Sequence, residues 1–369
     1  MSLRILRISV GLAAIMFISQ SCAEYPPEDI SYQPMVLKDG WPVSTPEEQG
    51  LDVSTLDAVY KNAEQLDNIY SLLIVKNGYL IGERYFNGQN AFMANPTASV
   101  TNGVTSALAG IALRENYISG LDQKMMEFFP EIARQTLDSR KSGITIRHIL
   151  QMRSGYPWEE FNGYLMILFS SSQWIPFLQE FPLTGDPGTR FGYSNLTTHI
   201  MGIIIARAAH TSLLSFAKTY LFNPLNIAAP CWPVDSVGYY YGDGDICLTP
   251  RNMAKIGQLY LKNGVYNGVQ IIPAEWISAS LRTYSPTTYS TEIFTNIHRL
   301  GYGYLWWSGE SGNHHYNFAW GNGGQSIMII QDLNMVIVTT AAQQSVLGDV
   351  AWQKTKAVME LVGGFICRI

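Results

Sequence analysis

Asn95-Pro96-Thr97-Ala98-Ser99-Val100-Thr101-Asn102-Gly103-Val104 is the stretch on which the fold turns. Asn-Pro marks a turn. From Val100 onward apolar residues recur at helical spacing, at Val100, Val104, Leu108, Ile111 and Ala112. That spacing predicts a buried helix with Ser99 in its first turn, where unpaired backbone N–H groups and the helix dipole favour developing negative charge. Position 102 then shares the helix face of Ser99. A nucleophile of the Ser-x-x-Lys kind carries there the amine that takes the serine proton. This chain carries Asn102, and a carboxamide accepts no proton near neutral pH.

On either side the pattern alternates between strands and helices. Ser54–Gln65 reads as a helix, and Ser71–Lys76 and Tyr79–Phe86 as two strands joined by Asn77-Gly78, a hairpin signal. From about Gln123 to Leu281 helical runs and long loops dominate, among them Thr145–Gln151, Leu196–Ala209, Leu213–Leu221 and Arg251–Asn263. Strand signals return at Gly301–Trp307, Ser326–Gln331 and Met335–Thr340, and Ala351–Val362 closes the pattern as a helix. Strands at both ends around a helical middle predict an α/β (α+β) fold. Its antiparallel sheet would be built from both termini and flanked by helices, with a mostly α-helical lobe inserted at about 123–281.

The 369 residues are 47% hydrophobic and 14% charged with a net charge of −5, which suits a globular domain with a sizeable core. No basic run occurs, so nucleic acid is not an expected partner. Arg4 and Arg7 precede an apolar stretch from Ile8 to Ile18 that is short for a membrane span. Small residues then lead to Cys22, so residues 1–21 read as a signal peptide. Cys22 is either a lipidated first residue or incidental to plain secretion. Both readings export the protein, the first as a periplasmic or outer-membrane-associated lipoprotein held to the membrane at Cys22. Residues 22–45 read as a tether and 46–369 as the domain. Cys231 and Cys247 either pair across their short loop or stay, with Cys367, as separate buried thiols. Adjacent His314 and His315 point to opposite sides of an extended chain and make a poor chelate, so no metal is expected.

Several motifs together resemble the class C β-lactamase-like serine hydrolases, a family with β-lactamase/transpeptidase-like fold that includes penicillin-binding-protein-like peptidases, esterases and nylon-oligomer hydrolases. They are, in order, Asp39-Gly40-Trp41-Pro42, the Ser99 helix, Ile144–Leu150 with Met152-Arg153-Ser154-Gly155, and Pro187–Phe191 with Tyr193-Ser194-Asn195. Leu248–Ala254, Gly301-Tyr302-Gly303 and Trp320-Gly321-Asn322-Gly323-Gly324-Gln325 follow. The resemblance implies that Ser99 attacks a carbonyl and Tyr193 shuttles its proton. It implies that Asn195 holds the substrate amide or the residue-102 side chain, and that the backbone N–H groups of Ser99 and Gln325 form the oxyanion hole. Asn322, with Gly323 and Gly324, stands at the place of the Lys-Thr-Gly strand that contacts substrate. The substrate or ligand would be a small-molecule or peptide ester or amide, with no metal or organic cofactor.

Asn102 in place of the lysine leaves three readings open. The protein acts as a hydrolase with Tyr193 or a water as a weak base, or it keeps the cleft only to bind a peptide or peptidoglycan fragment, or Asn102 is an isolated lesion. An unassisted tyrosine has a pKa near 10, and losing general-base help costs about 10²–10⁴ in rate. Gly103, Asn226 and Asn252 also depart from the family pattern, which favours relaxed catalytic constraint. Ser215-Phe216-Ala217-Lys218 is a literal Ser-x-x-Lys, but its setting reads as a solvated helix. Trp306 and Trp307 would alternate across a strand, one in the core and one near the cleft.

Overall fold

Asn77 and Gly78 turn the chain with φ of 55° and 88° between strands β1 (Ile69–Lys76) and β2 (Tyr79–Tyr85), the geometry an Asn-Gly hairpin favours. The computed structural model describes residues 32–133, 138–287, 293–344 and 348–369. The leader 1–21 and Cys22 lie outside the described residues. The remaining strands of the main sheet come late: β3 (Ser285–Pro286), β4 (His298–Tyr302), β5 (Trp307–Ser311), β6 (His314–Gly321), β7 (Gln325–Ile330) and β8 (Met335–Ala341). They form an eight-stranded sheet in the order β2-β1-β8-β7-β6-β5-β4-β3. The sheet is assembled from both ends of the chain, because β1 pairs antiparallel with β8 (Leu73 opposite Val338, Ile74 opposite Ile337).

The longer helices are α1 (Val53–Glu64), α2 (Thr101–Arg114), α3 (Asn195–Ala208), α4 (Pro250–Leu261), α5 (Ala274–Leu281) and α6 (Asp349–Ile366). Helix α2 is buried along almost its whole length. Its small polar residues find partners inside the protein: Thr105 Oγ1 donates to Gly242 O (2.6 Å) and Ser106 Oγ to Tyr304 O (2.6 Å). This is how a helix with Thr and Ser on its faces is buried without unpaired hydroxyls.

Four sequence expectations are corrected. Gly301–Trp307 is not one strand: Gly303 N–H donates to Trp306 O, while Tyr304 N–H and Leu305 N–H donate to Ser280 and Leu150, so the chain turns out of the sheet before β5. The inserted lobe stops short of 281, because α4 lies on β1, β7 and β8. A Cβ at Gly257 of α4 would stand 2.8 Å from Ile327 Cγ2. The tether is shorter than 22–45. Arg251 reaches Asp39 Oδ2 (2.9 Å) and Met35 O (2.6 Å), Trp41 Nε1 donates to Arg251 O (3.2 Å), and Val43 bridges Leu80. The segment from Met35 is therefore part of the domain, held by a buried cation. Finally, Leu213–Leu221 is an α-helix only to Ala217 and passes into a π-helical stretch, Lys218–Phe222.

Cys231 and Cys247 are disulfide-bonded, with Cα atoms 5.1 Å apart, and Cys367 is free and exposed. Trp306 and Trp307 divide as expected. Trp306 packs on Tyr260 in the core, and Trp307 lies over Tyr193 with ring centres 5.9 Å apart.

Candidate active site

Ser99 sits in a 3₁₀ turn, Ala98–Val100, that runs directly into α2. Two devices fix the turn. Thr97 donates through both N–H (3.0 Å) and Oγ1 (2.9 Å) to Ile246 O. Ala98 takes a left-handed φ of 47°, an uncommon conformation for a residue with a Cβ. Strand β6 closes against the same turn at Gly321, where a Cβ would stand 2.8 Å from Thr97 O and 3.0 Å from Ser99 N. Only glycine lets the two backbones approach this closely. Ser99 itself stays partly exposed.

Tyr193 and Asn195 arrive from the N-terminus of α3. Ser194 is its cap, accepting from Thr197 N–H (3.2 Å). The buried Glu159 carboxyl accepts from Ser194 Oγ (2.7 Å), Asn195 N–H (3.0 Å) and Leu196 N–H (3.3 Å). A Tyr-x-Asn spaced across a cap therefore projects both side chains from one rigid helix end. Burial pushes the Glu159 pKa up to about 8, against the pull of these donors.

The side chains meet around the Tyr193 hydroxyl. Asn102 Nδ2 donates to it at 2.7 Å, and the Ser99 side chain faces it without closing a bond. Burial, reinforced by the Glu160 charge, raises the Tyr193 pKa well above that of a free phenol. Asn102 Oδ1 is buried without a partner, and the Tyr302 hydroxyl faces Asn102 without closing a bond. Asn195 Nδ2 likewise faces Glu160 without closing one. Glu160 is solvent-exposed at the cleft, where Trp158 Nε1 donates to it (2.9 Å) and surrounding protein raises its pKa. Near these groups Asp243 is fully buried, and burial raises its pKa too. Sequence reasoning brings Ser99, Asn102, Tyr193 and Asn195 to one place. It misses Glu159, Glu160, Asp243 and the role of Tyr302, whose contacts with the cluster span from about thirty-five to two hundred positions and leave no local signal.

Gln325 lies on β7, opposite Gly321, with its side chain bonded to the main chain of Ala341 on β8. Gly321, not Gln325, is the residue against Ser99, because β6 is the strand that abuts the Ser99 turn. Asn322 spends its side chain on the Gln344 main chain, as donor (2.9 Å) and acceptor (3.3 Å). Gly323 and Gly324, at φ of 89° and 106°, make the β6–β7 turn against Ala342 and Val358. All three residues take part in the hairpin's own packing, and Asn322 stays partly exposed.

Two apparent signs of decay also acquire structural causes. A Cβ at Gly103 would stand 2.8 Å from Trp306 Cζ2, so glycine admits the indole. Asn226 holds a left-handed φ of 50°, which asparagine tolerates where glycine is the usual choice. The Ser215–Lys218 pair is exposed and far from this cluster in use: Ser215 Oγ accepts from Ser212 Oγ, and Lys218 is exposed. Among the described residues no group of three or more His, Cys, Asp or Glu side chains is placed to hold a metal.

A family model for beta-lactamase matches residues 70–358. The 6-aminohexanoate-dimer hydrolase of Paenarthrobacter ureafaciens is 24% identical over 285 residues, covering 73% of this chain and 71% of its own. Among solved structures, a penicillin-binding protein from Bacillus halodurans superposes with a TM-score of 0.62 at 14% identity, over 83% of this chain and 99% of that one. Simvastatin synthase from Aspergillus terreus gives 0.64 at 14% identity, over 87% and 99%. The structural likenesses carry the fold alone. Together with the family match, and with a serine, a tyrosine and an asparagine gathered at the start of a buried helix, they place this chain in the beta-lactamase family of serine hydrolases.

Proposed function

We propose that the protein is an exported, lipid-anchored acyl-transfer protein in which Ser99 forms an ester with an amide or ester substrate at a strongly reduced rate. The observation that carries this reading is the Asn102–Tyr193 hydrogen bond. It occupies the partner that a lysine would serve and supplies no positive charge to draw the phenol toward phenolate. In the proposed step the Ser99 Oγ–carbon bond forms while the Ser99 proton passes to the Tyr193 oxygen. Tyr193 gives its own proton to the departing amine or alkoxide, so the phenol ends neutral. The Ser99 N–H and the β6 main chain beside it would stabilise the oxyanion. A neutral relay of this kind keeps positioning and oxyanion stabilisation but forgoes most general-base assistance.

A fluorophosphonate probe tests this on the purified protein. Slow labelling that disappears in Ser99→Ala and quickens in Asn102→Lys is expected. Rapid labelling of the native chain would refute impairment. No labelling in either the native chain or Asn102→Lys would favour the second reading, a binding protein that uses the same cleft without turnover. That second reading draws on the unpaired Asn102 Oδ1 and Asn195 Nδ2, which a bound amide would satisfy. The proposed anchor has its own test: Cys22→Ser should move the protein from the membrane fraction to the soluble exported one.

A further inference from the structure

Beside the nucleophile cluster lies a cavity of about 520 Å³ whose lining includes Arg153, Arg190, Trp158, Phe191, Ser285 and Asp186. Trp158 and Phe191 form the wall it shares with the site: their rings are 5.6 Å apart, and Trp158 is 6.0 Å from the Tyr193 ring. Two guanidinium groups enter this cavity with little to do. Arg153 donates once, to Thr189 O (3.3 Å), and its buried Nε has no partner. Arg190 donates once, to Thr184 O (2.6 Å). Among the described residues neither has a carboxylate within 4.0 Å. Asp186, the acidic lining residue, is turned to Arg140 at 3.2 Å.

Each guanidinium offers five N–H donors in a planar fork that matches a carboxylate. A buried donor without an acceptor carries an uncompensated desolvation penalty, which a bound anion would recover. From the two unpaired guanidinium groups, the orphaned Nε and the aromatic wall, we propose that the cavity is a subsite for a substrate carboxylate. The ligand class is an acyl compound with an apolar or aromatic body and a terminal carboxylate, its body lying along Trp158 and Phe191. Its lining comes from residues 153–192 with Ser285 and Pro286, and includes none of the β6–β7 turn that stands at the place of the Lys-Thr-Gly strand. The inference rests on the acyl-transfer reading for its role but not for its test.

The test is a fluorescence titration of the full chain, and of its Ser99→Ala variant, with N-dansyl-6-aminohexanoate and with its primary amide; the acid is no acyl donor, and in Ser99→Ala the amide cannot be turned over. The acid should bind at least about tenfold more tightly than the amide, equivalent to about 1.4 kcal/mol. Half-molar salt should erode that preference. Arg190→Gln, at an exposed position, should reduce the preference several-fold, and Arg153→Gln with Arg190→Gln should abolish it. Ser99→Ala should retain it. Equal binding of acid and amide, a preference indifferent to both arginines, or no binding of either probe would overturn the proposal. An unreactive Ser99 with the preference intact would refute acyl transfer and leave the subsite standing.

Discussion

Asn102 Nδ2 donates to the Tyr193 hydroxyl oxygen at 2.7 Å, joining the start of α2 to the start of α3 across ninety-one positions of sequence. An ammonium at this point would hold Tyr193 partly ionised. A carboxamide leaves burial in control, and burial raises the phenol's pKa. The labelling rate of Ser99 should therefore climb steadily with pH through 9, with no plateau near 7. Stopped assays across pH 6–10 would measure this, and a bell-shaped profile centred near neutrality would contradict it. Asn102→Lys should bring in a plateau and raise the neutral-pH rate by about a hundredfold.

Gly103 is a packing residue. Its substitution by alanine improves intrinsic helix propensity by about 1 kcal/mol, yet places a Cβ 2.8 Å from the buried Trp306 indole. Overpacking costs about 1–3 kcal/mol, so Gly103→Ala should be destabilising in urea. A stabilised variant would show that the indole has room to shift.

Glu159 gives stability a pH dependence of defined sign. Its folded pKa is about 8, whereas an unfolded Glu titrates at about 4.3. The neutral form is thus favoured by folding. Its contribution is full below about pH 4.3 and is lost as pH rises through 8, on the order of a few kcal/mol in total. Asp243, also raised by burial, acts with the same sign. The difference between the native chain and Glu159→Gln isolates the Glu159 part. Denaturant curves at pH 5 and 8.5 should show a smaller decline in Glu159→Gln; equal declines would count against it.

Arg251 holds strand β2 through Glu83 and the 35–39 segment through Asp39 and the Met35 carbonyl, its Nε standing 2.7 Å from Glu83 Oε1. Glu83 is 5% exposed. Arg251→Met would leave that carboxylate buried without its cation, costing about 3–5 kcal/mol. Adding Glu83→Gln should return part of the loss. A cost below about 1 kcal/mol for Arg251→Met would mean that water reaches Glu83.

The elements that were legible in the chain have local causes. Asn77-Gly78 sets its hairpin by φ preference, the apolar spacing from Val100 sets α2, and the apolar, β-branched runs at 326–331 and 335–340 flank a short turn as strands buried along their length. Gly301–Trp307 was misread because its strand-like composition is overridden by hydrogen bonds to Ser280 and Leu150, residues that no local pattern connects to it. The placement of Gly321 against Ser99 is hidden for a related reason. A glycine-rich run fixes a turn, but which of its residues faces the nucleophile depends on which strand packs against residues 97–99.

The sequence by itself determined the family, the serine at position 99 and the absence of an amine at 102, since motif order and residue identity are properties of the chain. Only the tertiary structure decided that Gly321 abuts the serine and that Glu159 clamps the helix carrying Tyr193 and Asn195. It alone showed that Gly103 makes room for Trp306 and that two arginines line a neighbouring cavity without acidic partners. Those are matters of distance, burial and unpaired donors between residues remote in sequence, and they exist only once the sheet has joined the two ends of the chain.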